Sequence, residues 1–213
     1  MSERREELID KALAYFLERG VAGLSLRPLA DEIGTSARLL VYHFGSKDGL
    51  IAAVMDELRT RIQRSFAGLS TASGARKRGG VMQAFWAWTI RPANLRHIRL
   101  LFEVQVLAIQ DPARYAHYLE GTSSSWLDLI EASLPPSKAN RAAATLSAAV
   151  IDGLLLEYMA TGDRKRTTAA LTLFGGLLAA KASPAERPRA TAAARHGSGS
   201  RASARHGEVS GGR

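Results

Sequence analysis

The chain has 213 residues and a net charge of +9 from 29 basic and 20 acidic side chains, a size suited to one domain or to a small domain fused to a larger one. It contains no cysteine, which excludes disulfides, thiolate zinc sites, iron–sulfur clusters and a cysteine nucleophile. The opening MSERREELIDKALAYF has no apolar signal core, and the candidate run Ala148–Leu156 is broken by Asp152 and Gly153, far short of the roughly 18 uninterrupted apolar residues of a membrane span. A soluble, cytoplasmic protein with no membrane partner is expected.

Apolar residues recurring with the helical period place a first helix over 3–19, burying Leu8, Ile9, Ala12, Leu13, Tyr15 and Phe16 and stopping at Gly20. Ser25 starts a second helix with Pro28 in its first turn. That helix buries Leu29, Ala30 and Ile33 and ends at Gly34, which reads as a left-handed cap. Thr35 or Ser36 caps a third helix over 37–44, and Ser46 caps a fourth over 47–66. Later helices read as 76–90, 92–109, 112–133, 137–161 and 163–181, punctuated by Pro92, Pro112 and the Pro135-Pro136 pair. No alternating strand pattern of useful length occurs, so the expected fold is all-α with about nine helices. Residues 183–213 have almost no large apolar side chains and repeat Ala-Arg-His-Gly at 194–197 and 204–207. A disordered basic tail is expected there, because too little burial is available to offset ordering.

The most informative stretch is Leu24–Leu50, LSLRPLADEIGTSARLLVYHFGSKDGL. Two short helices joined by a Gly-containing turn have the layout of a helix-turn-helix, whose second helix enters the major groove. The spacing alone is weak evidence, since short helix pairs are common. The residues add specificity. Ala30, Ile33, Gly34, Ser36, Leu40, Tyr42, His43, Phe44, Ser46, Lys47 and Leu50 resemble the DNA-binding signature of the TetR family of bacterial repressors, with its Tyr-His-Phe followed by Ser-Lys. Phe102-Glu103, Asp111-Pro112 and Asp152-Gly153-Leu154 extend the resemblance over residues 1–181. It implies a three-helix DNA-binding domain over 1–50, a helical ligand-binding and dimerisation domain over 51–182, and a separate tail over 183–213. Where family members often carry Gly-Thr-Leu-Tyr, this chain has Arg38-Leu39-Leu40-Val41, so the base code does not transfer from relatives.

The DNA-contacting set is expected to be Arg27, Ser36, Ala37, Arg38, Leu39, Val41, Tyr42, His43 and Lys47. Lys47 falls in the first turn of a helix, where free N–H groups and the dipole favour phosphate. Ser36 and His43 can hydrogen-bond phosphate oxygens, and Arg27 can reach backbone or a base edge. Arg38 has the fork that grips guanine O6 and N7, with a phosphate contact as the alternative. Leu39 and Val41 suit thymine methyl groups. Tyr42 reads as more core than reader. The charge excess lies elsewhere. Residues 1–50 hold seven Lys/Arg against eight Asp/Glu, residues 51–183 sixteen against ten, and residues 184–213 six against two.

The candidate effector residues are Trp86, Phe102, Glu103, Gln105, Trp126 and Tyr158, drawn from long helices where the family resemblance implies a ligand cavity. Glu103 stands out on the apolar run Leu100–Leu107. A buried carboxylate needs a partner, which is either a cationic ligand or an arginine such as Arg99. The last two helices are rich in Ala and Gly, which permits close helix approach, and the resemblance implies a four-helix homodimer interface. No HExxH, GxSxG, P-loop or GxGxxG pattern occurs, so no catalytic residue, metal or cofactor is expected. The resulting expectation is a repressor bound as a dimer to a palindromic operator and released by an apolar or aromatic small molecule. The alternative is a helix-turn-helix regulator without such a ligand, constitutive or controlled by a protein partner.

Overall fold

A computed structural model describes residues 3–71, 80–134 and 140–182. Its elements are α1 (Glu3–Arg19), α2 (Leu26–Glu32), α3 (Ala37–Phe44), α4 (Lys47–Thr71), α5 (Gly80–Thr89), α6 (Pro92–Gln110), α7 (Ala116–Ser133), α8 (Asn140–Thr161) and α9 (Arg164–Ala182). There is no strand among the described residues. The expected basic tail lies outside them.

The short N-terminal helices end where glycine supplies a left-handed backbone. Gly20 and Gly34 have φ +73° and Gly45 has φ +76°, a region that costs other L-residues more. Ser36 caps α3 by accepting from Leu39 N at 3.1 Å. Ser46 does the same for α4, accepting from Gly49 N at 2.9 Å. Leu8, Ala12, Phe16, Leu29, Leu40 and Leu50 are buried together, closing α1–α3 into a small head over the start of α4. Arg5 also lies over the Phe44 ring, 5.0 Å from its centroid.

α4 is longer than the sequence pattern predicts, running to Thr71 instead of ending near residue 66. Its buried face, Leu50, Ile51, Val54, Met55, Leu58, Ile62 and Phe66, continues from the head into the remaining helices, and Met1–Ser183 form one compact unit. α4 packs on α1 and α3 at one end and on α5 and α7 further along. α7 starts at Ala116, four residues later than predicted, because Asp111–Tyr115 form a turn in which Asp111 Oδ1 accepts from Arg114 N.

α8 contains no uninterrupted apolar run of membrane length, as expected, yet it is apolar on average. A window within its 22 residues reaches a mean hydropathy of 1.4, long and apolar enough to cross a membrane by length and composition. The expectation counted uninterrupted apolar runs, whereas here many alanines outweigh Arg141, Asp152 and Glu157. The helix packs against α7 and α9.

Gly49 is a close approach rather than a turn. A Cβ there would lie 2.1 Å from the Phe44 carbonyl oxygen, and a backbone oxygen at the end of a packed helix has little room to move. Gly49→Ala is expected to destabilise the chain by about 1–3 kcal/mol, towards the upper end. Urea denaturation followed by circular dichroism checks this, and an unchanged midpoint would contradict the contact.

Candidate nucleic-acid interface and effector site

The two faces of α3 have different tasks. Leu40 and Phe44 point into the head and are buried. Arg38, Val41 and Tyr42, spaced by three and four residues, are exposed on the opposite face. Tyr42 is 80% exposed, which corrects the expectation that it is mainly a core residue. α3 is only eight residues long, and Leu40 and Phe44 already fill its inner stripe. Arg27 and Ser36 are also exposed, while Ala37, Leu39, His43 and Lys47 are half-buried. His43 packs edge-on to Tyr42, with ring centroids 5.2 Å apart. Lys47 Nζ donates to the Leu24 carbonyl at 3.1 Å, so it ties the start of α4 to the loop before α2. Two of its three N–H donors remain beyond that bond.

The six effector candidates have different contact partners. Trp126 meets Phe66 and Phe85 with centroids 6.1 Å away in each case, and Trp88 stacks on Phe85 at 5.9 Å. Trp86 lies edge-on to Tyr158 at 6.2 Å, its Nε1 donating to Thr168 Oγ1 at 2.9 Å. Gln105 Oε1 lies 3.5 Å from the Tyr118 hydroxyl. Phe102 is half-buried and packs against the core. Glu103 is the clearest correction. Its Oε1 accepts from both Val21 N and Ala22 N at 2.8 Å, so its partners are backbone groups of the turn after α1 and not an arginine. Helical periodicity marked the carboxylate as unusual but says nothing of a turn more than eighty residues earlier.

Three features escaped the sequence reading. Phe66, at the end of the predicted span of α4, joins the aromatic cluster through Phe85 and Trp126. Arg59 is 8% exposed. Its Nη2 donates to Asp56 Oδ1 at 2.8 Å and its guanidinium lies over the Tyr118 ring, 5.6 Å from the centroid. Arg59 Nε has no acceptor among the described residues. The only sequence sign was an arginine within the apolar stripe Met55, Leu58, Ile62. Lastly, Arg114 donates from Nε and Nη2 to Asp48 Oδ1, at 2.9 and 2.6 Å, joining the α6–α7 turn to the start of α4. Beside that pair, a cavity of about 430 Å³ is lined by Arg5, Asp48, Asp56, Arg114, Tyr115 and Tyr118, among others.

The outer faces of α8 and α9 expose Leu146, Leu156, Leu173 and Leu177. Asp152 stands on the same helix as the first two and is exposed at the surface, and partial loss of hydration raises its carboxyl pKa. No group of three or more metal-ligating side chains occurs among the described residues.

A small head presenting an exposed helix, set on a larger helical body, defines a helix-turn-helix DNA-binding transcriptional regulator. Comparison with known proteins agrees. Residues 8–54 match the family described as bacterial regulatory proteins, tetR family. The chain is 33% identical over 177 residues to the HTH-type transcriptional regulator BetI of Burkholderia thailandensis, covering 80% of this chain and 89% of that one. The fold resembles that of a transcriptional regulator from Rhodococcus sp. Rha1, with a TM-score of 0.69, 21% identity, and 83% and 96% of the two chains covered. It also resembles a Saccharomonospora viridis transcriptional regulator in complex with choline, with a TM-score of 0.63, 22% identity, and 82% and 96% covered. The chain belongs to the TetR family of transcriptional regulators.

Arg38, exposed near the N-terminus of α3, is the side chain best suited to guanine. Arg38→Ala is expected to cost about 1–3 kcal/mol of operator affinity, concentrated at one base position per half-site. Binding measured on single-base operator variants checks this; a uniform loss would make Arg38 a phosphate contact.

Proposed function

We propose that the chain is a cytoplasmic repressor that binds a palindromic operator as a homodimer and leaves it when a small molecule occupies the helical body. The observation that carries this reading is the exposed row Arg38, Val41 and Tyr42 on α3, set on a head that the body holds through α4 and α6. Within the row Arg38 reads a base edge, Val41 and its neighbour Leu39 meet methyl groups, and Tyr42 reaches backbone or base. Ser36, His43, Arg27 and Lys47 fix the head on phosphates.

The dimer reading rests on α8 and α9. Four leucines at 51–68% exposure form an apolar surface of the kind that marks an interaction site, and the small residues beside them allow close helix packing. Twofold pairing of this face uses the same patch on both copies, and would place two heads so as to meet successive major grooves roughly 34–36 Å apart. Leu173→Glu is expected to give a monomer in analytical ultracentrifugation and to lower affinity for a two-half-site operator. A stable dimer in that variant would place the interface elsewhere.

The effector proposed is apolar or aromatic and neutral or anionic. The Phe66, Phe85, Trp88 and Trp126 cluster supplies apolar walls, and Arg59 supplies a buried donor whose Nε is without an acceptor. The Saccharomonospora relative binds choline, a cation. Here the carboxylate that α6 could offer to a cation, Glu103, is bound to the head, and the buried cation Arg59 opposes a second positive charge. The chain's three tryptophans allow a fluorescence titration with and without operator. A compound that weakens operator binding a hundredfold carries about 2.7 kcal/mol of coupling, and operator must weaken that compound by the same factor. Equal affinities in the two titrations would exclude release by that compound. Failure of every bound compound to alter operator affinity would favour regulation without a small molecule.

A further inference from the structure

The turn after α1 is built to receive a carboxylate. Gly20 N still donates back to Phe16 O at 2.8 Å, completing the last helical turn, and Gly20 itself then swings to φ +73°. That reversal aims the next two amides the same way. Val21 N and Ala22 N both donate to Glu103 Oε1, each at 2.8 Å, and the turn closes with Leu24 N donating to Val21 O at 3.1 Å. Successive N–H groups converging after a right-handed to left-handed change of backbone form an anion-binding concavity. Gly20 is needed there twice over. Besides its φ, a Cβ at this position would lie 2.7 Å from Glu103 Oε2 and 2.8 Å from Oε1.

Glu103 does not belong to the head. It sits mid-way along α6, between Phe102 and Gln105, which pack towards the body. The head is otherwise joined to the body through α4 and through the packing of α1 on α6, and a helix that can bend beside helix faces that can slide leaves the angle of its load poorly defined. A restraint away from that axis is what sets the angle. Among the polar restraints described from α6 and the turn after it, the Arg114–Asp48 pair is exposed at both partners, and exposed pairs contribute little. The Glu103 contact is charge-assisted, doubly bonded and made to backbone groups that move only with the turn.

We propose that Glu103 is a positioning residue for DNA recognition, its carboxylate holding the Gly20–Ala22 turn and thereby setting the angle of the head on the body. Only the consequence for operator binding rests on the dimeric reading. In a twofold dimer the angle of each head sets the separation of the two recognition helices.

The test uses the full chain with Glu103→Ala, Glu103→Gln and Gly20→Ala. Amide exchange at Val21 and Ala22 is expected to rise about tenfold or more in Glu103→Ala, with α4 amides such as Leu58 keeping their protection. Because the chain has no cysteine, Asp31→Cys on the head and Ala132→Cys on the body, both exposed, accept spin labels uniquely. With labelled chains diluted in unlabelled ones, the head-to-body distance distribution is expected to broaden in Glu103→Ala and Gly20→Ala. Glu103→Gln, which retains an acceptor oxygen, is expected to fall between these and the parent. Either measurement unchanged in Glu103→Ala overturns the proposal. If that variant loses α4 protection and so fails to fold, the same two criteria apply to Glu103→Gln.

Operator binding separates position from folding. On DNA selected by the purified parent, Glu103→Ala is expected to bind a two-half-site operator about tenfold more weakly, because a wandering head lowers the effective concentration at the second site. Binding to a single half-site should be unchanged; an equal loss there would show that Glu103 acts on the head's own fold and would overturn the proposal. If the parent itself gains nothing from a second half-site, the dimeric reading fails, and exchange and distance still decide the role of Glu103.

Discussion

The structure depends on α4 being one helix. Its 25 residues span about 37 Å at the helical rise, and one buried stripe from Leu50 to Phe66 runs through a single core that the head and body share. Near its start, Leu50, Ile51 and Val54 close the underside of the head. Further along, Leu58, Ile62 and Phe66 are part of the body. The head is too small to hold its shape on its own apolar residues, since burial falls steeply with size. Sharing a helix supplies the missing contact area. The same sharing makes any bend in α4 a movement of α3, so the join between head and body lies inside a helix rather than in a linker.

Charge placement follows from that arrangement. A DNA-binding head with eight acidic and seven basic residues looks contradictory beside a net charge of +9. The contacts resolve part of it. Asp10 pairs with Arg61 and Asp48 with Arg114, both arginines lying beyond residue 50, while Glu32 pairs with Arg19 and Glu7 with Arg4 and Lys11. Four of the eight acids of the head, Glu7, Asp10, Glu32 and Asp48, therefore meet cations within α1, on a neighbouring helix or at the junction. Such exposed pairs are each worth little in stability, about 0–1 kcal/mol. Their value is in orientation and in keeping acidic charge from opposing phosphate.

What could be read from the sequence divides along the same line between local and distant causes. Helix caps were legible because they are chemistry between near neighbours: Ser36, Ser46, Gly34 and Gly20 each act within a few residues. The helix-turn-helix was legible because its residues have tightly specified places. α4 was read too short because the pattern weakens after Phe66 while packing against the body continues. Tyr42 was misjudged because an aromatic side chain near two buried ones looks like core, when the inner stripe of a two-turn helix has room for only Leu40 and Phe44. The effector residues were legible as types and not as a site, since the rotation of each long helix about its axis is fixed by packing. Trp86 and Trp126 both read as pocket walls, yet within one core Trp86 meets Tyr158 while Trp126 meets Phe66 and Phe85.

Glu103 carries this furthest. A carboxylate on an apolar stripe has few stable outcomes: it finds a cation, it stays protonated, or it finds hydrogen-bond donors that are short of acceptors. Sequence reasoning considered only the first, because side chains are visible in a sequence and backbone donors are not. The amides after α1 are such donors, since the glycine reversal takes them out of the helix and the turn's own closing bond begins only at Leu24 N. Both deficits are resolved by one contact. An orphan acid on one helix and two orphan amides in the turn after another form a join that apolar packing alone would not specify, because apolar surfaces can slide while two bonds to one oxygen cannot. The polar outlier in the body and the glycine in the head are thus parts of a single device, separated by more than eighty residues of chain.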